Sequence, residues 1–345
     1  MAREGLAVCA VFRDEAPYLL EWIAYHHAAG AAHFVLYDNA STDGGAKLIA
    51  ACPLASFVTI VPWPERPPLL SAYRHFLDNF ANRFEWAAFI DIDEFLLPVS
   101  GSVVPPLLAR LQQGVSAVLV NWRIFGPSGH EEPPPGLITE SYTTRLPDDA
   151  AVNRHVKSIV RCADVLGTGI NPHEFALRGA AANSRGEVVP NVALQPHACH
   201  EVLVLNHYFT RSRRDWRAKV ARGSAMYPGP KYDVAVAGQI EAQCTVTDTA
   251  IHRFLPAVRE RLSNPVPQSP SAPPDAWEAR GEDCFMGPDG MVVRDRSRPG
   301  APWLAALRGP GRPTDPWFLS DGLGRIRSFA SSAAARAACA TARRH

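Results

Sequence analysis

An apolar run, Trp86-Ala87-Ala88-Phe89-Ile90, stops abruptly at three acids, Asp91, Asp93 and Glu94. Such a run suits a buried strand, and in an open α/β sheet ligands bind in the crevice beyond the carboxyl ends of the strands. Strand alternation along Asp91-Ile92-Asp93 directs both aspartates to one side and returns Ile92 to the core. Two hard oxygen donors with a third acid beside them suit Mg²⁺ or Mn²⁺ held jointly by protein and by the phosphates of a substrate. Alone, Asp-x-Asp is also what a strand terminus or a helix cap looks like, so its meaning depends on the elements around it.

Length and composition narrow the classes. A chain of 345 residues holds one large domain or two, and 47% hydrophobic with 20% charged residues is ordinary for a globular protein. Lys plus Arg (35) nearly balances Asp plus Glu (34), so no net field points to nucleic acid or an anionic membrane. Four of the basic residues are lysines (Lys47, Lys157, Lys219, Lys231), and the heavy use of Ala, Arg and Pro suggests a high-GC bacterial genome. The seven cysteines are scattered and form no C-x-x-C pair, as expected of free thiols in a reducing compartment. No apolar run reaches membrane-span length and no signal peptide is evident, so the expected location is cytoplasmic, with peripheral association at the inner membrane face.

In chain order, Leu6 to Phe12, His33 to Tyr37, Phe57 to Val61 and Trp86 to Ile90 read as strands. Helices starting near Ala16-Pro17, after Asp38 to Gly45 and near Leu70 separate them. This alternation predicts an α/β fold with a mostly parallel central sheet flanked by helices. One of Ser41, Thr42 and Asp43 is expected to cap the second helix. A helix over Val103 to Gln113 and a strand over Ala117 to Trp122 close the nucleotide-binding half, residues 1–122. Residues 123–264 form an acceptor half with strands at Val156 to Arg161 and Val202 to Tyr208 and a helix from Arg213 to about Arg222. A Pro-rich linker spans 265–276, and 277–345 read as an irregular extension with an Ala/Arg tail, partly helical.

Read together, Val11-Phe12-Arg13-Asp14-Glu15, Glu21-Trp22-Ile23, Tyr37-Asp38-Asn39-Ala40-Ser41-Thr42-Asp43 and Ile90-Asp91-Ile92-Asp93-Glu94-Phe95 resemble the GT-A glycosyltransferases. More narrowly, they resemble family 92 and the related family 2-like bacterial proteins. The resemblance continues through Lys157-Ser158-Ile159-Val160, Asn171-Pro172-His173, Asn206-His207-Tyr208, Arg211-Ser212 and Lys219 to Gly223.

It implies a GT-A (Rossmann-like) fold, a nucleotide-sugar donor such as a UDP-sugar, Mn²⁺ or Mg²⁺, and transfer of the sugar to a hydroxyl of a glycan or lipid-linked acceptor, with inversion. By this resemblance Asp93 and His207 are metal ligands, and Asp91 contacts the metal through water or the ribose. Glu94 orients them. Phe12, Arg13, Glu15, Asp38 and Asn39 flank the base and ribose, and Lys219 and Arg222 approach the diphosphate. Glu174 or His173 takes the acceptor's proton, with Glu201 as competitor. The chain departs from the family at Leu69, Leu70 and Ser71, where members often carry a glutamine. Two rivals remain: a phosphotransferase or phosphohydrolase using Asp91 as nucleophile, and a non-catalytic sugar-binding protein on the same fold. A zinc site among His173, His197, His200 and His207 is a minor alternative.

Overall fold

The computed structural model describes residues 3–101, 103–109, 114–223 and 232–263, and the backbone of short strands between 278 and 329. The first elements are β1 (Glu4–Phe12), α1 (Ala16–Ala28), β2 (Ala31–Asp38), α2 (Gly45–Ala51), β3 (Val58–Pro62), α3 (Leu69–Asn79), β4 (Phe84–Phe89), β5 (Glu94–Pro98), α4 (Pro105–Ala109) and β6 (Val115–Ile124). There follow α5 (Ile138–Ser141), β7 (Thr144–Arg145), β8 (Val156–Arg161), β9 (Val165–Thr168), β10 (Phe175–Leu177), β11 (Ala180–Ala182), β12 (Val188–Val189) and β13 (Leu203–His207). Helices α6 (Arg213–Arg222), α7 (Val236–Gln243) and α8 (Leu255–Ser263), with β14 (Val246–Thr247) between the last two, complete the first unit, Met1–Val266.

The strand and helix alternation of the first ninety residues is present as expected, and β3-β2-β1-β4 lie parallel in that order. Strand β8 then inserts antiparallel between β4 and β6, so β6 again runs parallel to β4. Strand β6 also pairs parallel with β11 and β13, and β13 pairs antiparallel with β5. The sheet is therefore mixed but mostly parallel across its centre.

Alternation along β1 builds two cores. Val8, Ala10 and Phe12 face α1, where Leu19, Trp22 and Ile23 are buried, while Ala7 and Cys9 face α3, where Tyr73 and Phe76 are buried. Each large apolar side chain so enclosed contributes roughly 1.5–3 kcal/mol. Helix α1 is hydrophobic on the face carrying Leu19, Trp22, Ile23 and His26, and Gly30, with φ +99°, ends the turn beyond it.

The capping expected at α2 is corrected in part. Helix α2 begins after Gly44, whose φ of +82° places it in the left-handed region and which itself offers no side-chain cap. Ser41 and Thr42 reach across to the loop after β1, and Asp43 does both: its Oδ1 accepts Gly45 N–H at the start of α2 (3.0 Å), and its Oδ2 reaches the start of α1. Asp14 N–H donates to Ser41 Oγ (3.1 Å), Thr42 N–H to Asp14 Oδ1 (2.7 Å) and Ala16 N–H to Asp43 Oδ2 (2.7 Å). Capping groups that a linear reading assigns to their own helix thus fasten two neighbouring strand-end loops together. The helix expected over Val103 to Gln113 is observed as α4 from Pro105 to Ala109, residues 110–113 lying outside the described residues.

The second unit is Pro267–His345. Its backbone forms β15 (Glu278–Ala279), β16 (Cys284–Gly287), β17 (Gly290–Arg294), β18 (Trp303–Leu307), β19 (Trp317–Phe318) and β20 (Ser328–Phe329). They pair antiparallel in the order β15-β16-β17-β18-β19, with β20 also on β18. The expected linker at 265–276 and helical tail lie outside the described residues.

Candidate functional site

The carboxyl ends of β1, β2 and β4 share one edge. Phe12 is level with Asp38, Cys9 is level with Phe89, and Ile90 N–H donates to Cys9 O (3.2 Å). The acids follow at once, but not as a continued strand. Residues 91–94 form a turn closed by Glu94 N–H to Asp91 O (3.0 Å) and Asp91 N–H to Glu94 Oε2 (2.8 Å). Trp22 Nε1–H, from α1, braces it by donating to Asp91 O (3.1 Å) and Glu94 O (2.8 Å). The alternation expected along Asp91-Ile92-Asp93 therefore does not hold, because the turn rotates the two carboxylates toward different partners. Asp91 Oδ2 accepts from Lys157 Nζ (2.8 Å), and Asp93 Oδ2 from Lys219 Nζ (2.5 Å).

Strand pairing delivers the other groups. In the β4/β8 ladder Ile159 faces Ala88, so Lys157, two residues earlier on the antiparallel strand, lies beside the end of β4. In the β5/β13 ladder His207 faces Glu94, and Tyr208 N–H donates to Asp93 O (2.8 Å). His207 Nε2 is 3.5 Å from Asp93 Oδ2, and its Nδ1 is 3.7 Å from Glu94 Oε1. Both of those far-side atoms, Nδ1 and Oε1, are buried without a hydrogen-bond partner. A metal-ligating histidine characteristically turns its second nitrogen to a carboxylate, so this order of groups fits a cation between Asp93 and His207. Among the described residues no set of three His, Cys, Asp or Glu makes a protein-only metal site. The donors present suit a cation whose remaining positions are filled by a ligand.

Burial opposes ionisation of Asp93, but Lys219 and then His207 outweigh it and hold the carboxyl well below the usual range. Asp91 is likewise lowered, Lys157 overcoming desolvation. Burial pushes Glu94 up to about 8; Lys157 pulls against this, and Asp91 and Asp93 add to it. Lys157 loses solvation in the interior, yet Asp91 and Glu94 raise it well above an ordinary lysine.

Helix α6 supplies the opposite wall. Ser212 and Asp215 form a reciprocal capping box at its start. Asp215, Lys219 and Arg222 recur at helical spacing and line, with Glu15, Tyr18 and Arg211, a cavity of 260 Å³ that reaches Asp93. Arg222 donates to Arg13 O (2.5 Å), Asp14 O (3.0 Å) and Glu15 Oε1 (2.7 Å). Arg211 donates to Glu15 Oε2 (2.6 Å) and lies 4.0 Å over the Tyr18 ring, whose hydroxyl donates to Asp215 (2.6 Å). Asp14 and Arg211, two cavity residues, hold left-handed φ values of +51° and +53°, a strain that surrounding contacts must maintain.

The remaining expected residues fall in three places. Phe12 is buried at the strand end, Arg13 lies 3.7 Å from Asp14, and Asp38 Oδ1 accepts Ser41 N–H (2.9 Å). Asn39 is buried and its amide donates to Trp63 O (2.7 Å) and Glu65 O (2.9 Å). Glu15, Asp93, Lys219 and Arg222 meet at the cavity, with His207 behind Asp93. His173 and Glu174 do not line it: His173 Nδ1 pairs with Val156 O (2.7 Å), and Glu174 Oε1 accepts Ala193 N–H (2.8 Å). Glu201 is exposed and paired with Arg185 (2.8 Å). Trp122 gathers several histidines, its ring stacking on His155 (4.9 Å) and meeting His173 (5.7 Å) and His207 (4.7 Å) edge-on. His200 Nε2 pairs with the backbone Trp122 O (2.8 Å), so one residue organises all four of these histidines.

Lys157, Tyr18 and Trp122 were not singled out by role in the sequence. Lys157 carried a signal nonetheless: a lysine inside the apolar run Val156 to Val160 must find anions if that run is buried.

Comparison with known proteins places these features. A glycosyltransferase family 92 protein of Oryza sativa subsp. japonica is 33% identical over 178 residues, covering 50% of this chain and 30% of that protein. One from Ricinus communis is 29% identical over 227 residues, covering 64% of this chain and 38% of its own length. The chain thus spans well under half the length of these curated plant relatives. Among solved structures, a Pyrobaculum calidifontis mannosyltransferase in complex with GDP-Man and Mn²⁺ aligns over 34% of this chain and 36% of its own, at 21% identity and TM-score 0.27. S. aureus TarS residues 1–349 align over 74% and 71%, at 10% identity and TM-score 0.33. The model of glycosyltransferase family 92 matches residues 4–182, the stretch that carries β1 through β11 and with them the acid turn and Lys157. That match covers more than half of the chain, which belongs to glycosyltransferase family 92.

Proposed function

We propose that the chain transfers a sugar from a nucleotide-diphosphate donor to a hydroxyl of a glycan or lipid-linked acceptor, with a divalent cation, Mn²⁺ or Mg²⁺, held by Asp93 and His207. The observation that carries this reading is the convergence of Asp93, His207 and the basic face of α6 at one strand-end cavity in a family 92 chain. The charges on the wall support the cation. Asp14, Glu15, Asp93 and Asp215 outnumber Arg211, Lys219 and Arg222 by one, so the cavity attracts a diphosphate only when a further positive charge is present.

When bound, that cation supplies electrostatic stabilisation to the departing diphosphate. The chain's own groups do the rest. Asp38, Asn39, Arg13 and Phe12 shape the rim for base and ribose, and Asp91, fixed by Lys157, faces the ribose. Lys219 and Arg222 orient the diphosphate, and Arg222 together with Glu15 fastens α6 to the β1 loop. Closure of that wall keeps water from competing with the acceptor hydroxyl. Inversion, and the choice of His173 or Glu174 as proton acceptor, rest on the family resemblance. Among the described residues no helix is long and apolar enough to cross a membrane.

The test is a panel of UDP-, GDP- and dTDP-sugars with Mn²⁺ or Mg²⁺, followed by donor turnover. Release of nucleotide diphosphate with one sugar, lost in Asp93→Asn, is the expected result. Donor bound but never turned over would make the chain a binding protein, and a phosphorylated Asp91 would make it a phosphotransferase.

A further inference from the structure

Asp93 has two claimants for one oxygen. Oδ2 accepts from Lys219 Nζ at 2.5 Å, and the same Oδ2 is the atom His207 Nε2 approaches at 3.5 Å. An ammonium at hydrogen-bond distance from that oxygen occupies the side on which a cation shared with His207 would bind. We propose that Lys219 is a tethered stand-in for the divalent cation: it neutralises Asp93 while the site is empty, and metal binding displaces it toward the diphosphate. This rests on the metal-dependent reading above.

Three features allow the exchange. Lys219 has light secondary anchors, Phe209 O at 3.0 Å and the Phe209 ring at 4.7 Å, and its side chain is 27% exposed toward the cavity. Helix α6 is held independently, by Arg222 on Arg13 O, Asp14 O and Glu15 and by Tyr18 on Asp215, so Lys219 can swing without the helix moving. Asp93, buried at 7% exposure, must keep a positive partner, since an unpaired buried carboxylate is costly. The two cations are therefore alternatives, and each excludes the other from Oδ2. Released from Asp93, the lysine becomes available to the phosphates at the moment the metal site is filled, so metal and nucleotide binding reinforce one another.

Titration of Mn²⁺ alone into the full chain, following free Mn²⁺ by electron paramagnetic resonance, tests this with Lys219→Met, Lys219→Gln and Asp93→Asn. Removing the lysine should tighten Mn²⁺ binding by about fivefold or more, the lower end of typical coupling between sites. UDP binding at saturating Mn²⁺ should weaken in the same variants. In the unmodified chain, Mn²⁺ should increase amine-reactive labelling of Lys219 and added UDP should reverse it, a readout that needs no variant. Mn²⁺ affinity unchanged or weakened in both lysine variants, or Lys219 labelling indifferent to Mn²⁺, overturns the exchange even where Asp93→Asn abolishes Mn²⁺ binding and the metal site stands. Mn²⁺ binding that is absent, or indifferent to Asp93→Asn, overturns the metal reading and the exchange with it.

Discussion

Asp91 and Asp93 lie two residues apart in one turn, and each receives a lysine ammonium, at 2.8 Å and 2.5 Å. The settings differ. Lys157 comes from the middle of the sheet, its side chain is 2% exposed, and it also faces Glu94 Oε2 at 3.5 Å. Lys219 comes from α6, is 27% exposed, and divides its ammonium between Asp93 and a backbone carbonyl. An interior lysine has no water to retreat to, so its pair behaves as a fixed part of the turn. A lysine at a cavity wall retains solvent and space, so its pair with the enclosed Asp93 can be traded for another cation but not simply given up. The short acidic motif thus separates into a half that is built in and a half that is available for chemistry.

The sharpest way to break this contrast is to remove each lysine in turn. Lys157→Met leaves the enclosed Glu94 and the 38%-exposed Asp91 without their ammonium and should lower unfolding free energy by about 1–3 kcal/mol, the scale for a buried polar group that loses its partner. Lys219→Met, measured with Mn²⁺ present to take the ammonium's place beside the enclosed Asp93, should cost about 1 kcal/mol or less. Urea denaturation compares them directly, and equal losses would erase the distinction. The aspartates should show the reverse order in activity. Asp93→Asn should reduce donor turnover about 10²–10³-fold, the scale for losing one strong electrostatic stabiliser. Asp91→Asn should act on stability and on the donor KM with a smaller loss of turnover, which steady-state kinetics at matched folded fraction would show.

Much of this arrangement was readable in the chain, and what was not readable has a common cause. The apolar run Trp86 to Ile90 ending in acids announced both a buried strand and its position at the crevice, and the β/α alternation announced the parallel sheet. The partners of the acids are set by pairings distant in sequence. Lys157 reaches Asp91 because β8 runs antiparallel beside β4, and His207 reaches Asp93 because β13 lies in register with β5. Local patterns carry no information on either register. The same holds for Ser41 and Thr42, whose capping chemistry was evident but whose partners lie in the β1 loop, while Asp43 serves the starts of both α1 and α2. Trp22 illustrates the middle case. Its place in the Glu21-Trp22-Ile23 motif of the first helix was legible, whereas its brace on the two carbonyls of the acid turn needed the fold.

The interior half of the comparison also has a pH signature. His26 is buried on α1, its Nδ1 pairs with Trp22 O (2.9 Å), and its Nε2 accepts Leu96 N–H (3.2 Å) from β5, directly after the acid turn. The acceptor role requires Nε2 to be unprotonated. Burial pulls His26 down to about 3, against an unfolded value near 6.5. The unfolded chain therefore binds the extra proton first, and stability should fall progressively as pH drops below about 6.5, down to the folded value. Comparing urea midpoints at neutral and mildly acidic pH should show this loss. His26→Gln, which keeps a side-chain acceptor but cannot titrate, should flatten the slope; an unchanged slope would assign the acid sensitivity to other groups.

A modest effect is also expected on the cavity side. Tyr18→Phe deletes the hydroxyl that donates to Asp215 Oδ1 at 2.6 Å while leaving the ring under Arg211. Asp215 keeps its capping-box donors, Ser212 N–H and Oγ, on Oδ2, and Oδ1 is left facing the cavity. The loss should be about 0.5–1.5 kcal/mol for a hydrogen bond to a carboxylate that retains other partners. Because this bond ties α6 to α1, its removal should loosen the wall that carries Lys219 without touching Lys157. Amide hydrogen exchange should accordingly rise along α6 and stay unchanged in β8. Exchange rising in both would mean that the two lysines share one cooperative unit, and that the built-in and available halves of the acid turn open together.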